Sequence, residues 1–271
     1  MRLSIRHRTS YRFEEPVIHA LQRLRLTPKE TQGQAILEWN MTFENAHREL
    51  EYEDAHFNTV SLLSVEPGTK EVSIRCEGKV DTQDNAGVIG HHSGHLPLWS
   101  FLSQTDLTRP GPKVRKVMEG LRCEEGEKLN FLHDLSAKIR DTVEYRTGET
   151  GVNTTAEDAA EKAMGVCQDH AHIFIGAARS QGIPARYVSG YLMMNDRIDQ
   201  EASHAWAEAH IDGLGWVGFD ISNGISPDPR YVRVATGHDY RDAAPITGIS
   251  FGTRNEMLEV EIAVEQQQVE Q

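Results

Sequence analysis

The sequence predicts an α+β fold, in which an all-β N-terminal part precedes a group of helices and an antiparallel sheet. Three observations support this prediction. Apolar and polar residues alternate along the N-terminal third; from about Lys113 the apolar residues recur every three or four positions; and strand-like runs return after a helix that ends at Gly182. Helices grouped apart from strands, rather than alternating with them, are typical of α+β proteins.

The first 85 residues have the pattern of half-buried antiparallel strands. Alternation begins at Leu3, is longest and strictest over residues 35–43, and resumes over 72–76 after a Pro-Gly turn. A period of two places one face of each strand in a core and the other in water. We therefore predict an all-β domain over residues 1–85.

A linker is predicted over residues 86–112, where turn-forming residues are frequent and no periodicity is visible. Residues 91–95 (HHSGH) contain three histidines. No cysteine or carboxylate lies at a matching interval, so an exposed loop is favoured over a metal site. The sequence predicts neither a metal nor a cofactor.

The core domain is predicted over residues 113–271, with helices first and strands second. The helical spacing runs through residues 114–121 and 129–139, and a third, short helix is indicated by propensity over 156–162. Residues 165–181 are small or apolar on nearly every face, as in a buried helix, and a glycine followed by a proline ends this run. Strands are then predicted over residues 183–194, 202–211 and 216–221, and a last one between about 251 and 264.

The chain is acidic, with 28 Lys and Arg against 41 Asp and Glu and a formal net charge of −13 over 271 residues. Such a surface repels phosphate backbones and anionic lipids, so neither nucleic acid nor a membrane is an expected partner. No membrane span or secretory signal is expected. The three cysteines are scattered and odd in number, which leaves at least one free thiol and favours a reducing, cytoplasmic location.

Cys167 is the candidate nucleophile because it lies at the start of the buried helix. Unpaired backbone N–H groups at a helix N-terminus favour negative charge and so stabilise a thiolate. The N–H of Cys167 would also point toward the carbonyl under attack, as one half of an oxyanion site. Position alone leaves a second interpretation equally open, in which Cys167 is a small buried apolar residue.

His204 is the candidate base, since a thiolate enzyme needs a group that can also return a proton to a leaving amine. It begins a strand in which residues 204, 206, 208 and 210 share one face, with alanines on the other. Such a polar face is expected to border a site. The alternative is that His204 is a solvated strand residue without a catalytic role. The rival bases His170 and His172 lie on the nucleophile's own helix, where supporting or packing roles are expected.

Asp220, at the end of the next strand, is the candidate that orients the imidazole. A three-residue loop over residues 212–214 would pair position 211 with 215 and 206 with 220. His204 would then be the diagonal neighbour of Asp220 on one face, roughly 7–8 Å away and within reach of longer side chains. A four-residue loop would put the two on opposite faces unless a bulge intervenes. Glu208 is the rival carboxylate and is expected to line the site instead.

Four blocks of sequence resemble the transglutaminase-like superfamily, in the order of that family: its nucleophile helix, the strand after it, and its histidine and aspartate strands. They are residues 165–171 (GVCQDHA), 182–191 (GIPARYVSGY), 203–208 (SHAWAE) and 215–220 (GWVGFD). Residues 3–28 and 54–60 are similar to the β-rich N-terminal region of the bacterial members. The resemblance implies a papain-like core, with the nucleophile helix packed on an antiparallel sheet, preceded by the all-β domain.

By this resemblance Cys167 is the nucleophile, His204 the general base and acid, and Asp220 the orienting carboxylate. The implied reaction is attack on an amide carbonyl, an acyl-thioester intermediate, and release of the acyl group to water or an amine. The resemblance implies a cysteine protease or amidase acting on a protein or peptide substrate. A cross-linking protein-glutamine acyltransferase is the second candidate, and a non-catalytic binding protein on the same fold is the third. The sequence does not indicate an oligomeric state.

The chain departs from the animal members of the family in two respects. They place an oxyanion-donating tryptophan before the cysteine, but the nearest upstream tryptophan here is Trp99. Tyr145 or the loop of residues 147–155 is the candidate for this second donor. No dense acidic calcium loop is present, so calcium activation is not expected.

Overall fold

The computed structural model describes residues 1–124, 126–194, 198–200, 202–251 and 256–267. The strands are β1 (Arg2–Phe13), β2 (His19–Leu24), β3 (Gln34–Glu44), β4 (Ala46–Glu53), β5 (Thr59–Val65), β6 (Glu71–Thr82), β7 (Val88–Gly90), β8 (Glu144–Tyr145), β9 (Met164–Gly165), β10 (Ala185–Leu192), β11 (Asp199–Gln200), β12 (His204–Ile211), β13 (Gly215–Phe219), β14 (Tyr231–Gly237), β15 (Ile246–Phe251) and β16 (Glu256–Gln266). The helices are α1 (Pro112–Val117), α2 (Lys128–Thr142), α3 (Ala156–Lys162), α4 (Cys167–Ser180) and α5 (Tyr240–Ala243), with a 3₁₀ helix over Leu98–Leu102.

The N-terminal part is made of strands, as the alternating pattern predicts. Strands β1, β6 and β3 pair in one antiparallel sheet, and β2, β5 and β4 pair in another. The apolar positions of the alternation meet between the two sheets, where Phe13, Leu24, Leu63 and Ile74 are buried in one cluster. The prediction of an all-β N-terminal region followed by an α+β core is confirmed.

The core sheet has the order β14-β10-β12-β13-β7, and each neighbouring pair is antiparallel. Helix α4 packs on β12 and β10, and the ring of Phe174 on the helix contacts the ring of Phe219 on the sheet. The alanine face of β12 lets the helix approach closely, because these side chains are short. On its outer side α4 touches another segment through Gly176, where a Cβ would collide with the carbonyl oxygen of Thr108.

The C-terminal strands pair with the N-terminal sheets. Strand β16 lies antiparallel to β1, and β15 lies antiparallel to β2. The sequence pattern groups these last strands with the core domain, whereas their hydrogen bonds join the N-terminal sheets. Alternation identifies a strand but not its partner, because the partner is set by contacts far away in sequence. The boundaries at residues 85 and 112 stay a prediction.

Several elements of the structure have no counterpart in the sequence prediction, among them β7, β14, β15 and α5. Strand β7 lies within the predicted linker and has three residues, too few for an alternating pattern to stand out. Strand β14 is buried on both faces, so it lacks the polar alternation of a half-buried strand. Within the described residues, no helix is both long and apolar enough to span a membrane.

Candidate active site

Cys167 is the first residue of α4, as the sequence predicts. The chain enters the helix from extended backbone at Val166, and the carboxylate of Asp169 accepts the N–H of Val166 at 2.8 Å. Asp169 also accepts the hydroxyl of Thr150 at 2.7 Å, which ties the preceding loop to the helix start. Cys167 is half-buried and lies at this fixed helix N-terminus.

His204 interacts with both Asp220 and Cys167. Its Nε2 donates to Oδ2 of Asp220 at 2.6 Å, and the nearby Cys167 side chain helps to raise the pKa of the ring. Since Nε2 is taken by the carboxylate, Nδ1 is the nitrogen available to exchange a proton with the sulfur. Burial opposes a charged imidazole, but the hydrogen bond to Asp220 and the interaction with Cys167 outweigh it and raise the pKa of His204 to about 10. The arrangement therefore favours an imidazolium between the sulfur and the carboxylate.

Asp220 is completely buried and is held by two further side chains. Tyr231 donates its hydroxyl and Asn223 its amide to Oδ2, each at 2.7 Å, and the backbone N–H of Asn223 reaches Oδ1 at 3.2 Å. Burial alone would raise the pKa of Asp220, but these bonds and the His204 ring lower it. The carboxylate consequently stays charged without contact to water.

The hairpin that carries the histidine and the aspartate has the three-residue loop considered in the sequence. Position 207 pairs with 219 and 211 with 215, so both partners share one face of the sheet. Asp220 leaves the ladder and forms an isolated bridge with Ile225. The side chains turn toward each other, so the distance between the polar atoms is much shorter than the spacing of diagonal backbone neighbours.

Asn223 and Tyr231 are site residues that the sequence prediction missed. Asn223 lies three residues after Asp220, in a short turn that follows the strand. An Asp-x-x-Asn spacing in a turn is the one local signal, because both side chains readily bond to nearby backbone N–H groups. Tyr231 begins β14, an unpredicted strand, and its contact with Asp220 depends on tertiary packing alone.

The two rival histidines are committed to other bonds. Nε2 of His170 donates to the carbonyl of Val143 at 2.9 Å, and Nδ1 accepts the hydroxyl of Ser222 at 2.8 Å. His172 accepts the backbone N–H of Tyr240, and burial lowers the pKa of His172 to about 3. Both rings are buried and pack the helix against its neighbours, in agreement with the packing roles expected for them.

Glu208 differs from its expected role. It is fully buried, and its carboxylate bonds to Arg186 at 2.6 Å and to Arg233 at 2.6 and 3.0 Å. These two guanidinium groups come from the neighbouring strands β10 and β14, so the cluster links three strands of the core sheet. A buried carboxylate between two cations supports the sheet and does not line the active site.

Two further candidates from the sequence have definite places. Tyr145 pairs with Gly165 in the short parallel β8–β9 ladder, two residues before the nucleophile, and half of its side chain is exposed. It therefore stays the candidate for the second oxyanion donor. In the histidine-rich loop, Nε2 of His92 donates to the carbonyl of Leu96, and Nδ1 accepts from the indole of Trp216. Both nitrogens of this ring are used in holding the loop.

Comparison with known proteins agrees with this architecture. Residues 115–221 match the transglutaminase-like superfamily, and residues 3–81 match the bacterial transglutaminase-like N-terminal region. An uncharacterized protein of Mycobacterium leprae is 27% identical over 275 residues, which cover 97% of this chain and 98% of that protein. One of Mycobacterium tuberculosis H37Rv is 27% identical over 289 residues, covering 97% and 92%.

A solved structure from Cytophaga hutchinsonii, described as a "putative cysteine protease", has the same fold. The two chains superpose with a TM-score of 0.76 at 24% sequence identity. The superposition covers 100% of this chain and 92% of the other, so it includes the N-terminal sheets as well as the core.

Proposed function

Because the chain contains a transglutaminase-like core after a bacterial transglutaminase-like N-terminal region, we propose that it is a cysteine peptidase or amidohydrolase with a Cys167–His204–Asp220 triad. The observation that carries the proposal is the position of His204, whose ring is hydrogen-bonded to a buried carboxylate and interacts with Cys167 at the start of α4. A protein or peptide amide is the proposed substrate class.

In the acylation step, the Cys167 thiolate attacks the amide carbonyl carbon and forms a C–S bond, and the carbonyl oxygen becomes an oxyanion. The backbone N–H of Cys167 is placed to donate to this oxyanion, and the helix N-terminus adds favourable potential. The imidazolium of His204 gives its proton to the leaving nitrogen as the C–N bond breaks. The products are a free amine and an acyl-thioester, with His204 now neutral.

In the deacylation step, neutral His204 takes a proton from water, and the resulting hydroxide attacks the thioester carbon. Collapse of the intermediate breaks the C–S bond, releases the carboxylic acid and restores the thiolate beside the imidazolium. Asp220 stabilises the imidazolium at both stages and holds its ring orientation, while Tyr231 and Asn223 keep the carboxylate fixed. These two act through Asp220 as positioning residues.

A thiol-reactivity experiment tests the proposed nucleophile. Iodoacetamide at mildly acidic pH should alkylate Cys167 much faster than the other two thiols, because only a thiolate reacts quickly. Cys76 is buried, which raises the pKa of its thiol to about 12, and Cys123 is a partly exposed free thiol. His204→Ala should abolish the difference, whereas the exposed control His47→Ala should keep it. Equal, slow alkylation at all three positions would contradict the proposal.

A panel of peptide amides, with and without an added primary amine, tests the reaction class. Release of the free acid alone is the expected result for a hydrolase. Incorporation of the amine would instead assign the cross-linking acyltransferase, which shares every step up to the acyl-enzyme. All three cysteines are free thiols, which supports a reducing compartment, and a cytoplasmic location is part of the proposal.

A further inference from the structure

A second cluster of chemically active side chains lies where the N-terminal sheets meet the core. The turn of residues 54–58, between β4 and β5, contacts the end of β14 and the segment after it. Asn58 donates its amide to the carbonyl of Thr236 at 2.8 Å and accepts the N–H of Thr236 at 2.9 Å. This two-way pairing fixes the turn against the core, so side chains from distant parts of the chain face one another at defined positions.

Three potential metal ligands converge at this junction. They are Nε2 of His56 in the turn, Nδ1 of His238 after β14, and Oδ2 of Asp242 in α5, and all three atoms lie within 4.8 Å of one another. The carboxylate oxygen is 3.3 Å from the His56 nitrogen and 3.0 Å from the His238 nitrogen. His238 and Asp242 are four residues apart, a spacing that brings two side chains to one side of a helical turn.

The carboxylate oxygen lies at the centre of the cluster. Oδ2 of Asp242 also accepts the backbone N–H of His238 at 2.9 Å, which fixes its position. Atoms bound to zinc at 2.0–2.2 Å in tetrahedral geometry lie about 3.3 Å apart. That separation is close to the 3.3 and 3.0 Å between the carboxylate oxygen and the two ring nitrogens.

We propose that His56, His238 and Asp242 form a binding site for a divalent transition-metal ion, with Zn²⁺ as the best match. Two imidazoles and one carboxylate are a ligand set that zinc uses with a fourth position open to water. Such a position is available, because 41% of the Asp242 side chain is exposed, although the His56 side chain is 91% buried. His56 also lines a cavity of about 750 Å³.

The backbone on either side of the site is already fixed. His56 donates its N–H to Asp54 at 2.9 Å, and the carbonyl of His238 accepts from Arg179 at 2.7 Å. Lys29 donates to the carbonyl of His56 at 2.9 Å. The ion would therefore bind a preformed site and clip the N-terminal sheets to the core, independently of the triad chemistry.

Zinc binding to the tag-free, EDTA-treated and desalted chain tests the proposal. Titration calorimetry with Zn²⁺ should give one equivalent for the wild type, and Co²⁺ should produce visible d–d absorption bands. His56→Gln and His238→Asn place an amide nitrogen near the original ring nitrogen, so they keep a hydrogen bond but lose the imidazole ligand. Asp242→Asn removes the charge. All three should lose the equivalent and the cobalt bands, while the exposed control His47→Asn should keep both.

Thermal unfolding provides a second readout. At free Zn²⁺ one hundred times above Kd, the folded-to-unfolded ratio of the wild type should rise about 100-fold, with a higher Tm, and the site variants should not respond. Saturable binding that persists in His238→Asn and Asp242→Asn would overturn the proposal. The proposal would also be overturned if the wild type neither binds Zn²⁺ nor gains Tm with it, while the site variants are less stable than the wild type in EDTA. That outcome would show that the three side chains form a purely hydrogen-bonded cluster. A variant that fails to fold leaves the decision to the other two.

Discussion

Asp220→Asn isolates the contribution of charge in the proposed triad, because it changes the charge of the side chain and keeps its shape. Oδ2 of Asp220 faces donors on His204, Asn223 and Tyr231, whereas Oδ1 accepts the backbone N–H of Asn223. The oxygen of the new carboxamide would therefore take the place of Oδ2 and face the three donors. Its NH₂ group would take the place of Oδ1 and face only the backbone N–H of Asn223. His204 keeps its bond and its position, and it loses its counter-charge.

The size of the effect follows from burial and distance. A unit charge about 4 Å from an imidazolium contributes about 4 kcal/mol at an effective dielectric constant of about 20. That energy corresponds to about a thousandfold in an equilibrium or a rate. Asp220 and His204 are both buried, so solvent does little to reduce it. We expect kcat/KM for amide hydrolysis to fall about 10³-fold.

The pH dependence should change in a defined direction. Burial lowers the pKa of His204, and its bond to Asp220 is foremost among the contacts that overcome burial and raise it to about 10. Without the carboxylate the pKa of His204 falls, the imidazolium is lost at lower pH, and the thiolate loses its partner. The pH midpoint of Cys167 alkylation by iodoacetamide should therefore move upward.

The assay is the rate of Cys167 alkylation between about pH 5 and 9, followed by mass spectrometry, beside kcat/KM on a peptide amide. Asp228→Asn is the matched control, since Asp228 lies in the same loop and pairs with Arg230 outside the triad. Unchanged Tm in Asp220→Asn shows that the fold is retained. A folded Asp220→Asn protein with the wild-type rate and midpoint would refute the assignment of Asp220.

Three further substitutions test the positioning, packing and pH dependence of the fold. Tyr231→Phe removes one hydrogen-bond donor to the triad carboxylate. Since a hydrogen bond to a charged group contributes about 1.5–3 kcal/mol, we expect a 10- to 100-fold loss of kcat/KM and an altered pH profile. An unchanged pH profile would contradict the positioning role of Tyr231. Gly176→Ala forces a Cβ into a backbone carbonyl oxygen and should cost about 1–3 kcal/mol in urea unfolding, whereas the control Gly151→Ala, which meets open space, should be neutral. Burial lowers the pKa of His7 to about 4, so the unfolded state binds the proton first as pH falls from about 6.5 toward 4. The free energy of unfolding therefore decreases over that range. His7→Gln should remove about 2 kcal/mol of the fall in unfolding free energy between pH 7 and 5, and the exposed control His47→Gln should leave that fall unchanged.

The parts of the site that the sequence predicts are those fixed by short-range geometry. Cys167 could be placed at a helix start because a glycine and a proline mark the other end of the same helix. The loop of residues 212–214 is short enough that its length fixes the hairpin register, and the register decides that His204 and Asp220 share a face. Tyr231 obeys no such local rule, since it reaches Asp220 from a strand on the far side of the core sheet.

The same distinction explains the second cluster and the C-terminal strands. His56 and His238 are brought together by the pairing of Asn58 with Thr236, and neither residue lies near the other in sequence or within a periodic pattern. Strand β16 shows its alternation plainly, yet only the folded chain pairs it with β1, which thereby becomes an inner strand between β16 and β6. Since β1 gains a second set of backbone hydrogen bonds from the far end of the chain, the N-terminal sheet is completed by residues that follow the core. A metal ion at His56, His238 and Asp242 would secure the same junction from the other side, so strand pairing and metal binding would hold the N-terminal sheets against the core at two separate points.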